Sequence, residues 1–138
     1  NTSMEQLNLS GNGFSGKIPA TFGNLFKLTT LDLSKQNLSG DLSFELSGFS
    51  SLSGLRYVNL SSNALSGHIP ATFGFLRSLV VLSLSKNHVS GFIPPELGNC
   101  SDLQVLELKN ALTGPIPVDF SRLLHLSLID LGGNNLTG

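Results

Sequence analysis

The 138-residue chain has no tryptophan, one tyrosine, one methionine and one cysteine. A lone Cys100 cannot close a disulfide within the chain. With no second Cys, His or carboxylate at ligand spacing, it offers no metal site either. Its expected role is that of a small buried hydrophobe. Charge is equally scarce, with 8 Lys and Arg against 9 Asp and Glu and a net charge of −1. Such a surface lacks the basic footprint that nucleic acid or anionic lipid requires, so neither is an expected partner. No apolar run reaches the length of a membrane-spanning helix, and no signal peptide opens the sequence, so direct membrane insertion is not expected of this segment. What remains is 40% hydrophobic, enough for a packed core.

Leucine, at 28 residues, and glycine, at 15, are both in excess. Two residue types with opposite roles in excess point to a small pattern copied many times. Anchored on Leu-x-Leu, the copies read LNLSGNGFSGKIP from Leu7, LDLSKQNLSGDLS from Leu31 and VNLSSNALSGHIP from Val58. They continue as LSLSKNHVSGFIP from Leu82, LELKNALTGPIP from Leu106 and IDLGGNNLTG from Ile129. The intervals are 24, 27, 24, 24 and 23 residues, and a period in the twenties is the mark of a solenoid.

In Leu-x-Leu, side chains alternate between the faces of a strand, so Leu7 and Leu9 point one way while Asn8 points the other. One such strand cannot bury its leucines alone. Successive copies must stack as parallel strands about 4.8 Å apart, each coil covering the last.

The unit L-x-L-x-x-N-x-L-S-G-x-I-P-x-x-L/F-G-x-L-x-x-L resembles the plant-type leucine-rich repeat over essentially the whole chain, and LGNCSDL at 97–103 is most similar to the ectodomains of plant receptor-like kinases. The resemblance implies an α/β repeat solenoid: a right-handed arc with a concave parallel β-sheet and an irregular or 3-10 convex side. Residues 1–138 are read as one leucine-rich-repeat domain, with no kinase segment. Ectodomains of this family usually carry Cys-paired caps, which are missing here, so the chain is expected to be an interior fragment or a truncated product whose end coils expose leucine.

Asn12, Asn63, Asn87, Asn110 and Asn134 stand where the strand must turn, and a buried amide there can satisfy backbone groups that leave the sheet. Gln36 takes this place in the second coil and predicts a strained or rerouted bond. Ser-Gly predicts a sharp turn and Ile-Pro an extended segment; the resemblance implies that this segment builds a second, side sheet. ATFGNL and PELGNC read as short helical or 3-10 turns. Residues 41–55 carry three extra residues, put Ser43 where proline is expected, and predict a longer convex loop.

Across the strands, one outward column reads Gln6, Thr30, Tyr57, Val81, Val105, Leu128. The next reads Asn8, Asp32, Asn59, Ser83, Glu107, Asp130, with Lys35 and Lys86 beyond it. An apolar line beside a polar to acidic one, about 24 Å across, suits roughly seven residues of extended peptide. Tyr57 at mid-face makes a good anchor. Glu107 and Asp130 hold the same position on adjacent strands, a spacing seen in retaining glycosidases. They lie on an open face near Lys86 and Lys109, however, and His68, His88 and His125 occupy three different repeat positions. No catalytic or metal site and no cofactor is expected.

Asn-x-Ser/Thr occurs at Asn1, Asn8, Asn37, Asn59, Asn99 and Asn135, which favours the secretory pathway and makes each a glycosylation candidate. The resemblance implies a non-catalytic module at the cell surface that binds a peptide or protein, including a co-receptor ectodomain. Two secreted alternatives share the repeat: a polygalacturonase-inhibitor-like protein, and an ice-binding (antifreeze) protein using the column Ser10, Ser34, Ser61, Ser85. Finally, LELKNALTGPIP is one residue short. Slipping the strand would bury Glu107 and expose Leu106 and Leu108, at a cost of several kcal/mol. The sequence therefore predicts an early turn after Lys109, with Asn110 and Leu112 keeping their places and the pairing weakened locally.

Overall fold

The computed structural model describes residues 3–137. Strands β1 (Gln6–Asn8), β3 (Thr30–Asp32), β5 (Tyr57–Asn59), β7 (Val81–Ser83), β9 (Val105–Glu107) and β11 (Leu128–Asp130) form one six-stranded parallel sheet in chain order. Each Leu-x-Leu therefore starts a coil, and the expected solenoid is what the chain builds. Leu31, Val58, Leu82 and Leu106 are 0–3% exposed, whereas Ile129 in the sixth coil is 41% exposed. Fully burying one such side chain contributes about 1.5–3 kcal/mol, so the stack is held mainly by this central column.

A second parallel sheet runs along the side: β2 (Ser15–Lys17), β4 (Asn37–Asp41), β6 (Ala64–His68), β8 (His88–Phe92), β10 (Ala111–Pro115) and β12 (Asn135–Thr137). It lies earlier in the repeat than expected. The strands pass through Ser-Gly, with Gly67 at φ +81° inside β6, and end before the Ile-Pro pair. Proline has no N–H for a ladder, so in this sheet it appears only at a strand end, where Pro115 closes β10. Pro19, Pro70, Pro94 and Pro117 instead stand extended at the head of 3-10 turns spanning Ala20–Asn24, Ala71–Phe75, Pro95–Asn99 and Val118–Arg122. These turns form the convex side.

In the second coil the three extra residues do not form a loop. They wind into α1 (Leu42–Glu45), followed by a 3-10 turn at Phe49–Ser51. Asp41 caps α1, its Oδ1 accepting from the Ser43 N–H at 3.0 Å and the Ser43 hydroxyl at 2.6 Å. Leu42, Leu46, Phe49 and Leu52 are all buried. The helical path wins because it satisfies its own backbone while turning these four side chains into the core.

Past the first coil, where Asn12 donates only to Leu9 O and Ser10 O of its own turn, the ladder amides reach back to the preceding coil. Asn63 accepts from the Leu38 N–H at 3.0 Å and donates to the Leu33 carbonyl at 2.9 Å. Asn87 does the same with Leu65 N–H and Leu60 O, both at 3.0 Å. Asn134 accepts from Asn110 and Leu112 and donates to Leu108 O, each at 2.9 Å. Gln36 is not rerouted. Its Oε1 accepts from Asn12 and Phe14 N–H at 3.0 and 3.1 Å, and its Nε2 donates to Leu9 O. The extra methylene removes the bonds to its own coil that Asn63 makes with Leu60 O and Ser61 O.

The short fifth coil lacks one specific residue. Every other coil places one residue in the left-handed region just before the ladder position: Gly11, Lys35, Ser62, Lys86 and Gly133, at φ from 57° to 72°. In the first four coils the N–H of that residue donates the last rung to the next strand, as Lys86 does to Lys109 O at 2.8 Å. The fifth coil has no residue at this station. Leu106, Leu108 and Leu112 stay fully buried, Asn110 keeps its ladder bonds, and the Lys109 N–H takes the Ser85 hydroxyl at 3.0 Å. The loss of pairing is one rung, while Leu108 N–H still meets Asp130 O at 2.9 Å.

Candidate recognition surface on the concave sheet

The register of the concave sheet aligns both outward columns. Gln6, Thr30, Tyr57, Val81, Val105 and Leu128 are successive partners, as are Asn8, Asp32, Asn59, Ser83, Glu107 and Asp130. Tyr57, Val81 and Val105 are half-buried, so the middle of the first column presents a shallow apolar band. Tyr57 is held upright by its neighbour: the Asn59 Nδ2 donates to the Tyr57 hydroxyl at 3.2 Å.

The polar column is half committed to the fold. Asn8, Asp32, Asn59 and Asp130 each accept, through Oδ1, the N–H two residues on, at 3.0 Å. This local turn lets a short side chain satisfy the backbone as it leaves the strand. The Ser34 and Ser61 hydroxyls donate to the same oxygens of Asp32 and Asn59 at 2.6 Å. Glu107, one methylene longer, makes no such bond. Ser83 faces this side yet is 5% exposed, because it is the shortest member and lies between Asn59 and Glu107.

Lys35 and Lys86 do not stand on the strands. They occupy the left-handed residue of the outgoing turn, at the edge of the sheet. Among the described residues the ion pairs are Lys17–Glu45 at 3.8 Å and Arg122–Asp119 at 3.1 Å, so neither lysine pairs with the acidic column. Glu107 and Asp130 are register partners on open sheet, and Asp130 spends one oxygen on Gly132. His68 and His88 lie on adjacent strands of the side sheet, two positions out of register, and His125 lies in the turn before β11. Cys100 is fully buried, its Sγ 3.3 Å from the Phe73 carbonyl, and burial pushes its thiol up to about 11.

Sequence reasoning missed one stretch of this face. A trough follows the leading ends of the strands, lined by Gln6, Thr30, Arg56, Tyr57, Val80 and Val81. It continues past Arg56 and Val80 to Ser78, Asp102, Gln104 and His125. Arg56, Val80 and Gln104 recur immediately before the apolar column, so the repeat period itself was the signal for them.

Two family models described as leucine rich repeat match residues 42–89 and 3–25. Receptor-like protein 41 of Arabidopsis thaliana is 35% identical over 98% of this chain, which spans 15% of that protein's length. The plant peptide hormone receptor RGFR1, solved in complex with RGF2, superposes on 99% of the chain with a TM-score of 0.93 and 42% identity, the chain covering 22% of it. The BIR2 ectodomain from Arabidopsis thaliana superposes on 96% of the chain with a TM-score of 0.80 and 35% identity, and here the chain covers 68% of the relative.

Proposed function

The chain belongs to the leucine-rich repeat family, in the group that contains the plant receptor ectodomains, and from that premise we propose that it is a non-catalytic recognition module of the cell surface. Its six coils act as one domain that receives a peptide or a partner ectodomain on the concave sheet. The observation that carries this reading is the aligned apolar column Tyr57–Val81–Val105, half-exposed beside a polar column with acceptor atoms to spare. An extended peptide can lay apolar side chains on the first column and hydrogen-bond to the second. The neighbours support the peptide class: RGFR1 is described as a plant peptide hormone receptor in complex with RGF2, and the receptor kinase HAESA in complex with the peptide hormone IDA and the co-receptor SERK1.

Titrating the protein with a panel of secreted plant peptides, by calorimetry, tests the reading. Tyr57→Ala and Val81→Asp should weaken binding while leaving the melting temperature nearly unchanged, because outward residues carry little core energy. Full affinity in both variants would exclude this face. The ice-binding alternative loses its basis in the serine column: Ser34 is buried, and the Ser34 and Ser61 hydroxyls are spent on Asp32 and Asn59.

A further inference from the structure

The fold divides the Asn-x-Ser/Thr sites into two kinds. Asn37 and Asn135 begin β4 and β12 on the side sheet, at the same place in the second and sixth coils. Both are exposed, and neither side chain makes a hydrogen bond among the described residues. Asn59 is half-buried with both ends of its amide in use: Nδ2 donates to the Tyr57 hydroxyl at 3.2 Å, and Oδ1 accepts from the Ser61 N–H at 3.0 Å and hydroxyl at 2.6 Å. Asn99 is half-buried on the convex side, where Oδ1 accepts from Arg122 Nη1 at 3.2 Å and Nδ2 packs against Gly74 of the preceding coil. Asn8 is intermediate, capping Ser10 from the edge strand, and Asn1 lies outside the described residues.

We infer that Asn37 and Asn135 carry N-linked glycans in the secreted protein, while Asn59 and Asn99 stay bare; this rests on the cell-surface reading above. In the transfer, the anomeric carbon of a lipid-diphosphate-linked oligosaccharide forms a bond to Nδ2. The bond from that carbon to the diphosphate breaks, the diphosphate leaves with the electron pair, and one Nδ2 proton passes to a base of the host transferase. The transferase meets the chain before it folds, and folding then decides which products survive. A sugar on Asn37 or Asn135 projects from an exposed strand and displaces nothing. On Asn59 it would break the contact that holds Tyr57, and on Asn99 it would force apart the stacked convex turns of neighbouring coils. Among these four sites sugar is thereby confined to the side sheet, and the middle of the concave columns, around Tyr57 and Asn59, is left clear for a ligand.

The chain, secreted from plant cells, should be digested and its glycans released by peptide N-glycosidase in heavy-oxygen water. Labelled aspartate is expected at positions 37 and 135 and ordinary asparagine at 59 and 99. Asn37→Gln should remove one glycan mass from the intact protein, and Asn59→Gln none. Label at 59 or 99, or none at 37 and 135, overturns the inference. Peptide binding by unglycosylated protein made in bacteria tests the recognition reading separately, so the two can fail independently.

Discussion

The second and fifth coils depart from the 24-residue period in opposite directions, one three residues long and the other one short. Both keep their central leucines buried. The second coil places its surplus on the convex side, where α1 can hydrogen-bond to itself and adds Leu42 and Leu46 to the core. The fifth takes its deficit from the turn that follows the strand, dropping the residue just before the ladder position, which is left-handed in the other coils. Insertions and deletions are thus absorbed at different stations of the repeat, each where the backbone loses least.

The sharpest way to break this comparison is to cut the core in both coils. Leu46→Ala in α1 and Leu108→Ala after β9 should each cost about 2–5 kcal/mol, since both side chains are 0–1% exposed and their removal leaves a cavity. A loss below about 1 kcal/mol for Leu46→Ala, measured by urea unfolding, would show the helical surplus to be an ornament. A smaller effect is expected from restoring the fifth coil. Inserting Gly after Lys109 returns the missing rung at a position that glycine adopts freely and should stabilise by about 0.5–1.5 kcal/mol. Inserting Ser after Leu108 instead forces Lys109 into the left-handed region and should yield about 1 kcal/mol less. Equal gains from both insertions would refute the left-handed assignment.

The smallest effect concerns the cap of α1. The Ser43 hydroxyl bond, the N–H groups of Ser43 and Phe44 and the charge of His68 together outweigh desolvation and hold Asp41 below its ordinary value of 3.8. A depressed acid contributes stability above its unfolded value and loses it as pH falls through the folded one. Acid unfolding followed below about pH 4 should therefore be shallower in Asp41→Asn, and the stability that the wild type holds over this variant at neutral pH should shrink as the acid is protonated.

Much of this was legible in the sequence, because the leucine period fixes which residues are register partners, and the two outward columns follow from it. The glycines at 11 and 133 also marked the left-handed station, two of five coils spelling out what Lys35, Ser62 and Lys86 adopt under constraint. Other features depended on neighbours in space. The helical route of the second coil was hidden because α1 has only four residues, too short for periodicity to show. Ser83 is buried by the reach of Asn59 and Glu107, which no local pattern records, and the polar column looked free because its turns are made with residues two positions on. The side sheet was placed too late because Ile-Pro looks extended, and extension alone does not make a strand.

The ladder gives the solenoid a direction in time. Gln36, Asn63, Asn87, Asn110 and Asn134 each satisfy backbone groups of the coil before their own. A coil emerging from the ribosome is therefore unsealed until its successor has been translated, and a growing chain carries one open coil at its leading end throughout synthesis. Nascent chains arrested beyond Asn87 and clear of the exit tunnel should protect the Leu65 amide from hydrogen exchange. Chains arrested before Asn87 should leave it open, and protection in both would show that sealing does not wait for the next coil.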